Sequence, residues 1–173
     1  MNFPRILKKR KGYIDRIKPF MQKSVAKVLT GQRCVGKSFF LYQLIEEILG
    51  EEPDANIIYI NLEDFAFSSL QTAEDLHSYI ISHSKEKVKN YIFIDEIQDI
   101  PGFEKVIRSL LLNEDNDIYI TGSNAKMLSG ELATYLSGRY IEFKIYSLSY
   151  SEFLEFHGLT ESETSYELYS RYG

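Results

Sequence analysis

The chain has 173 residues, of which 44% are hydrophobic and 26% charged, and its net charge at pH 7 is −5. This size and composition are typical of one globular domain and exclude a disordered or fibrous chain. A single cysteine excludes an internal disulfide and suits a reducing compartment, and no apolar run approaches the length of a membrane span. The start of the chain has no signal-peptide core. We therefore expect a cytoplasmic protein without a membrane partner.

The amino-terminal segment is strongly basic. Residues 1–37 contain eleven Lys or Arg residues and one acid, a net charge of +10, whereas the remainder carries −15. Apolar and basic side chains alternate here at helical spacing, and we expect an amphipathic helix over residues 4–22 with a solvated basic face. A basic segment of this kind is also able to contact nucleic acid. The solvated face is the favoured interpretation, and contact with nucleic acid stays open as the alternative.

A phosphate-binding loop follows the next predicted element, a buried strand over residues 25–30. Residues 31–38 match G-x-x-x-x-G-K-[ST] between that strand and a predicted helix over 37–49, which is the setting that the motif requires. Its glycines let backbone amides point at phosphate oxygens, next to the positive end of the helix. The lysine adds a charge and the serine hydroxyl is able to bind Mg²⁺. The predicted nucleotide-binding residues are Gly31, Gln32, Arg33, Cys34, Val35, Gly36, Lys37, Ser38 and Phe39.

Two adjacent carboxylates follow a third predicted strand. A strand over residues 57–60 and a helix over 72–83 lead to Tyr-Ile-Phe-Ile-Asp-Glu at 91–96, whose four apolar residues indicate a strand buried on both faces. Open α/β sheets bind ligands at the carboxyl ends of their strands. We expect Asp95 to hold the magnesium ion and Glu96 to act as the general base toward the attacking water.

The two acids after the second predicted strand are weaker candidates for the nucleotide site. Glu63 and Asp64 follow residues 57–60 and would reach the same edge of the sheet as the phosphate loop. A carboxylate from this position is able to orient water or Mg²⁺. A solvated loop acid is the favoured interpretation of both.

A polar tip follows the fourth predicted strand, at residues 118–121. Ser123 or Asn124 in this tip would reach the γ-phosphate or the attacking water if the fourth strand lies between the first and the third. The same Gly-Ser-Asn string is also an ordinary turn. Before this strand, Pro101 is expected to start a helix. Its apolar face comprises Phe103, Val106, Ile107, Leu110 and Leu111.

The alternation of strands and helices defines the fold class. A helix over residues 125–136 and a strand over 140–145 complete the pattern. Such alternation requires parallel strands with right-handed crossovers. We predict a three-layer α/β sandwich with a five-stranded parallel sheet in the order 5-1-4-3-2, the P-loop class with an additional strand. A helical tail over 150–173 follows, and its aromatic residues would be exposed if the next domain is missing.

The chain resembles the ATPase domain of a prokaryotic AAA+-type family in the strings LTGQRCVGKS, YIFIDEIQDIPGFEKVIRSLL, IYITGSN and LSGRYIEFKIYSLSYSEFL, over about residues 11 to 156. The resemblance implies ATP and Mg²⁺ as ligands and hydrolysis of the γ-phosphate. It implies that Ser123 or Asn124 is a polar sensor and that Arg139 is an arginine finger for a neighbouring subunit. On the residues alone, Arg139 is an ordinary surface salt-bridge partner.

The resemblance also divides the chain into three parts. Residues 1–22 form the amino-terminal helical segment of the ATPase domain, 23–149 its core, and 150–173 the start of a C-terminal region. Family members usually continue into a further domain, so we expect a fragment or a truncated member. The implied partners are ATP, further copies of the chain that use Arg139 in trans, and a DNA or protein partner bound through the absent region.

Three functions are compatible with this pattern. The favoured one is an AAA+-type module that couples Mg-ATP hydrolysis to a partner or nucleic-acid process. The second is a slow nucleotide-dependent switch that holds ATP to organise its partners. The third is a small-molecule kinase, against which the adjacent Asp95 and Glu96 and the polar-tipped fourth strand both argue.

Overall fold

A computed structural model describes residues 8–123, 134–136 and 138–172. Its sheet comprises strands β1 (Ala26–Gly31), β2 (Asn56–Asn61), β3 (Asn90–Asp95), β4 (Asn116–Ser123) and β5 (Tyr140–Lys144). The helices are α1 (Lys11–Ile17), α2 (Lys37–Glu51), α3 (Ala73–His83), α4 (Phe103–Leu110), α5 (Tyr150–His157) and α6 (Glu163–Tyr172). Neighbouring strands pair in parallel in the order β2-β3-β4-β1-β5. This confirms the predicted α/β class and the order 5-1-4-3-2.

Two predicted helices depart from the structure. Residues 8–10 of the helix predicted over 4–22 are not helical, and α1 begins at Lys11, because the Arg10 backbone N–H donates to Gln43 Oε1 at 2.8 Å. Residues 4–7 of that prediction lie outside the described residues. Helix α4 begins at Phe103, two residues after Pro101, because Gly102 precedes it in the left-handed conformation with φ of 76°. The predicted helix over 125–136 lies outside the described residues except for 134–136, which are helical.

The sheet is buried on both faces, which explains the continuous apolar strands. On β3, Tyr91 and Phe93 pack with the apolar side chains of α1 and α2, whereas Ile92 and Ile94 pack with those of α3 and α4. All four side chains are fully buried, and burial of each of Ile92, Phe93 and Ile94 contributes about 1.5–3 kcal/mol. Alternate residues of one strand therefore join two separate cores, and the strand has no solvent-facing side.

Several charges of the basic segment form ion pairs within the domain. The ion pairs join Lys9 and Lys18 to Glu47, Arg10 to Glu152, and Lys27 to Asp117. The last pair is completely buried at the amino ends of β1 and β4, and burial lowers the pKa of Lys27 while Asp117 opposes that change. These pairs favour a structural role for the segment over contact with nucleic acid. In the described part of the chain, no helix has the length and apolar character needed to cross a bilayer.

Gly31 lies where the end of β1 passes closest to the segment after β5. A Cβ atom at this position would lie 2.3 Å from the carbonyl oxygen of Ile145, and the φ angle of Gly31 is +156°. The two segments are joined by a hydrogen bond of 2.7 Å from the Ile145 N–H to the Thr30 carbonyl oxygen. A side chain at Gly31 would therefore have to push paired backbone apart.

We expect Gly31→Ala to lower the free energy of unfolding by about 1–3 kcal/mol, because the clash is with backbone and not with a movable side chain. Urea denaturation measures this change. The matched control is Gly50→Ala in α2, where a new Cβ would meet no atom within 4 Å. The control should leave stability unchanged or raise it by up to about 1 kcal/mol. Equal effects of the two substitutions would contradict the steric argument.

Candidate nucleotide-binding site

The loop between β1 and α2 has the backbone shape of an anion-binding nest. Cys34 and Gly36 adopt left-handed conformations with φ of 65° and 92°, and the residues beside them do not. Such alternation turns successive N–H groups toward one point. Helix α2 begins directly afterwards at Lys37, so its positive end faces the same point. The loop is therefore suited to a phosphate group.

Lys37 brings the loop and the Asp-Glu pair together. Its Nζ lies 3.1 Å from the carbonyl oxygen of Gln32 and 3.6 Å from Glu96 Oε1. The Lys37 side chain is 4% exposed, and that of Glu96 is 14% exposed. Because β4 is the only strand between β1 and β3, the two segments end beside each other at the carboxyl edge of the sheet. The phosphate loop and the Asp-Glu pair thus lie next to each other.

Asp95 has the surroundings of a magnesium ligand. Its carboxylate accepts hydrogen bonds from the Thr121 hydroxyl and, at 3.4 Å, from the Tyr59 hydroxyl, and the residue is 1% exposed. Burial raises the pKa of Tyr59, which keeps its hydroxyl protonated. No Lys, Arg or His among the described residues forms an ion pair with Asp95. A buried carboxylate without a protein cation beside it fits a bound metal ion.

Ser38 supplies a second oxygen donor at the first turn of α2, where it is partly buried. Mg²⁺ prefers hard oxygen ligands and usually takes only one or two from the protein, with the rest from water and phosphates. Within the described ranges, no group of three or more His, Cys, Asp or Glu side chains is arranged to hold a metal ion. Ser38 and Asp95 both offer oxygen atoms, the ligand type that magnesium bound together with a nucleotide takes from a protein.

Glu96 is held in an unusual conformation. Its φ angle is 55°, a left-handed value that costs a residue with a side chain about 1–3 kcal/mol. Its N–H donates to Thr121 Oγ1 at 3.0 Å, and Gln98 Nε2 donates to its Oε2 at 2.6 Å. With Lys37 beside Oε1, both carboxylate oxygens face donors. Sequence reasoning missed Thr121, Tyr59 and Gln98, since a hydroxyl or amide next to an acid gives no signal of its own.

The predicted sensor lies beside the phosphate loop. Strand β4 ends at Ser123, which pairs in register with Gly31 of β1. This places the Ser123 backbone at the carboxyl edge of the sheet, as the sequence predicts for the polar tip. Asn124, the other candidate, lies outside the described residues.

Arg139 lies at the opposite edge of the sheet. It precedes β5, whose first residue Tyr140 pairs with Ala26, and its carbonyl oxygen accepts from the Ala26 N–H at 3.0 Å. Strand β1 runs from Ala26 to Gly31, so about 17 Å of strand separates Arg139 from the phosphate loop of its own chain. The exposed Arg139 side chain therefore cannot reach its own nucleotide site.

The remaining polar residues near the loop form surface contacts. Arg33 pairs with Glu63 at 3.0 Å, but both side chains are exposed, and such pairs contribute about 0–1 kcal/mol. Asp64 accepts a hydrogen bond of 2.9 Å from the Ala66 N–H and caps a short 3-10 turn. Phe39, the last of the predicted nucleotide-binding residues, is 55% exposed. Glu63 and Asp64 are thus loop acids, which agrees with the favoured sequence interpretation.

A cavity of about 470 Å³ lies against the first half of the loop. Its lining comprises Gly31, Gln32, Val35, residues 144–149 and Tyr169 of α6. Arg10 stiffens the far wall by donating to the carbonyl oxygens of Tyr146 at 2.8 Å and Ser147 at 3.3 Å. The cavity lies on the β5 side of the loop, whereas Glu96 follows β3 on the other side of β1. It was not predicted, because Tyr169 reaches the loop from the distant tail of the chain.

Comparison with known families identifies the domain. The family model AAA_14, described as an AAA domain, matches residues 23–154. The chain belongs to this family. A protein of Haemophilus influenzae is 41% identical over 169 residues, which cover 94% of this chain and 42% of that protein. A protein of Methanocaldococcus jannaschii is 38% identical over 131 residues, which cover 75% of this chain and 28% of that protein. The chain thus spans less than half the length of these relatives.

Solved structures share the fold of this AAA domain. The Aeropyrum pernix ORC1 protein in complex with DNA has a TM-score of 0.58 at 14% identity, over 95% of this chain and 51% of that one. AMPPCP-bound DnaA from Aquifex aeolicus has a TM-score of 0.53 at 16% identity, over 92% and 55%. Saccharomyces cerevisiae RIF2 has a TM-score of 0.58 at 14% identity, over 93% and 67%. At these identities the likeness establishes the fold, that of an AAA+-type P-loop ATPase domain.

Proposed function

We propose that this AAA domain binds ATP with Mg²⁺ and hydrolyses the γ-phosphate, and that turnover drives a change in a bound protein or nucleic acid. The observation that carries the proposal is the 3.6 Å approach of Lys37 Nζ to Glu96 Oε1. It joins a phosphate nest to a general base in one pocket. The phosphate nest alone would support only phosphate binding, and the Glu96 carboxylate alone would not indicate any particular reaction.

The proposed binding mode uses backbone and side chains together. Amides of residues 31–38 and the amino end of α2 hold the triphosphate, and Lys37 neutralises part of its outer charge. Ser38 and Asp95 hold magnesium, which when bound compensates the charge that develops on the phosphate oxygens. The cavity of about 470 Å³ beside Gly31 is assigned to the base and ribose, because it continues from the nest on the side away from Glu96.

Hydrolysis needs a water molecule in line with the bond that breaks and a base beside that water. In the proposed step Glu96 accepts a proton from water, the oxygen attacks the γ-phosphorus, and the bond to the β-phosphate oxygen breaks to give ADP and phosphate. An incoming phosphate competes with Glu96 for the Lys37 ammonium, and this competition releases Glu96 Oε1 toward the water. Ser123 or Asn124 then contacts the γ-phosphate from the end of β4.

Phosphate release from Mg-ATP in the absence of any acceptor tests this function and separates it from a small-molecule kinase. We expect free phosphate and ADP to appear in equal amounts. A chain that binds ATP, releases no free phosphate on its own and forms ADP together with a phosphorylated small molecule when an acceptor is added would contradict the hydrolase and support the kinase.

A slow nucleotide switch is the second candidate, favoured by one observation. Both Glu96 oxygens already face donors, from Gln98 at 2.6 Å and Lys37 at 3.6 Å, so the base is engaged before ATP arrives. Single-turnover hydrolysis distinguishes the two. Gln98→Ala removes the donor to Glu96 Oε2. If the chain is a hydrolase, this substitution should change the rate little. If it is a slow switch, the substitution should accelerate hydrolysis strongly, because Glu96 is then released.

The proposed role of Arg139 is an arginine finger that completes the site of a neighbouring copy. Its position about 17 Å of strand away from its own loop supports action in trans. We expect Arg139→Ala to lower turnover roughly 10- to 100-fold. This is less than the usual rate effect of an arginine finger, because only assembled chains use Arg139. ATP binding should change little.

Mixing variants tests action in trans directly. Equal amounts of Arg139→Ala and Glu96→Gln should recover part of the lost rate, because a site with intact Glu96 can then receive an intact Arg139. The control is Arg108→Ala, because the exposed Arg108 lines a small surface pocket together with Arg139, and it should leave turnover unchanged. Absence of recovery in the mixture would contradict the finger.

The partner and the compartment belong to the proposal as well. The chain covers 42% and 28% of the lengths of its two relatives, and the region beyond it is the expected place for a DNA or protein partner. A cytoplasmic location agrees with the single cysteine of the sequence. ATPase assays on the longer protein with and without DNA separate the two partner classes.

A further inference from the structure

The Thr121 hydroxyl contacts both acids of the candidate site at once. It donates to Asp95 Oδ1 and accepts from the Glu96 N–H at 3.0 Å. The residue is completely buried on β4, between the strands that carry the phosphate loop and the acids. One oxygen atom therefore links the proposed metal ligand to the backbone of the proposed base.

The position of this hydroxyl is fixed by the sheet. The β3–β4 ladder pairs Ile94 with Ile120, so the residues that follow on each strand are held side by side. A threonine side chain is restricted at χ1, and its single hydroxyl proton is used on Asp95. The lone pairs of the same oxygen are then available to the Glu96 N–H. The hydroxyl thus has one arrangement that satisfies both neighbours.

Each neighbour depends on this contact for a different reason. The Asp95 side chain is 1% exposed, and its other oxygen has only a longer bond of 3.4 Å from Tyr59. Glu96 has φ of 55°, a conformation that persists only when its surroundings hold it. Loss of the Thr121 hydroxyl would therefore make the orientation of the Asp95 carboxylate and the backbone conformation of Glu96 less well defined.

We propose that Thr121 is a positioning residue that orients Asp95 toward magnesium and Glu96 toward the attacking water. The proposal rests on the function proposed above for its Mg²⁺ and its nucleotide. It assigns to Thr121 a role separate from that of the polar tip at Ser123 and Asn124, since Thr121 acts through the two acids and does not touch the phosphate.

Thr30 provides a matched control on the neighbouring strand. It is 1% exposed on β1, one position before the register partner of Ser123, and its hydroxyl donates to Glu142 Oε1 at 2.5 Å. Glu142 is exposed on β5 and can be solvated when the bond is lost. Thr30→Val therefore removes a buried hydroxyl of the same kind without changing the contacts of Asp95 or Glu96.

The test measures the affinity of Thr121→Val, Thr121→Ser and Thr30→Val for a non-hydrolysable ATP analogue. Each affinity is measured once in EDTA and again at increasing magnesium concentrations. Thr121→Val should bind the analogue in EDTA within about twofold of the parent chain, because the loop amides are intact. The magnesium concentration for half-maximal enhancement should rise about 10–100-fold, the usual effect of removing a partner of a metal ligand. Thr121→Ser, which keeps the hydroxyl, should return the parent value, and Thr30→Val should not change it.

The outcomes separate this inference from the proposed function. An unchanged magnesium dependence in folded Thr121→Val, with a parent chain that binds the Mg-analogue normally, overturns the role of Thr121 alone. A parent chain that binds no analogue under either condition overturns both. If Thr121→Val does not fold by circular dichroism, Thr121→Ala takes its place in the same comparison with Thr121→Ser, and equal magnesium dependence of these two overturns the inference.

Discussion

Glu96→Gln is expected to bind Mg-ATP about as tightly as the parent chain and to lose hydrolysis by about 10²–10⁴-fold. The amide is nearly the same size as the carboxylate, but it cannot accept a proton from the attacking water. Binding should survive because the loop amides and Lys37 hold the phosphates. Loss of the negative charge 3.6 Å from the Lys37 ammonium should even favour the bound phosphate slightly.

Calorimetric titration and single-turnover phosphate release on the same preparation measure the two quantities. The matched control is Glu63→Gln, which neutralises an exposed acid paired with Arg33 of the loop and should leave turnover intact. Full turnover by Glu96→Gln would reject this carboxylate as the base. Failure to bind ATP would assign Glu96 to binding and reject the division of roles.

Lys37→Ala is expected to abolish measurable ATP binding, a loss of at least about 100-fold in affinity. The Nζ atom is the buried cation that faces the carbonyl oxygen of Gln32 and Glu96, and phosphate oxygens would meet it in the same place. Charge-assisted hydrogen bonds of this kind contribute about 1.5–3 kcal/mol each, and more than one is lost. The substitution also leaves Glu96 without its cation, which adds repulsion toward the phosphates.

Fluorescence of a labelled ATP analogue measures the change, with circular dichroism to show that the variant is folded. Lys105→Ala, which removes an exposed lysine on α4, is the control and should bind normally. If folded Lys37→Ala binds the analogue within threefold of the parent affinity, Lys37 does not hold the phosphates.

The sheet order, and the proximity of the phosphate loop to the Asp-Glu pair, were predictable from sequence for a physical reason. Parallel strands separated by helices bring every strand's carboxyl end to one edge, so residues at 31–38 and 95–96 had to meet if β4 lay between their strands. The polar tip at Ser123 and Asn124 indicated that insertion. The register of Ser123 with Gly31 is the structural counterpart of this prediction.

The features that sequence reasoning missed depend on contacts between distant segments. The Arg10 side chain joins Glu152 of α5, and its backbone joins Gln43 of α2, so α1 starts later than its helical pattern indicates. Thr121 reads as one polar residue at the end of an apolar strand until the register with β3 places it between two acids. Position in three dimensions, and not residue type, distinguishes it from Thr30.

The most direct test of the central claim is calorimetric titration of the folded chain with Mg²⁺ and a non-hydrolysable ATP analogue. We expect one site per chain, with heat that disappears in Lys37→Ala and with weaker binding of magnesium in Asp95→Asn, because both segments contribute to one site. No heat with the parent chain, or the same heat in all three proteins, would show that the loop and the acids do not form a shared triphosphate site.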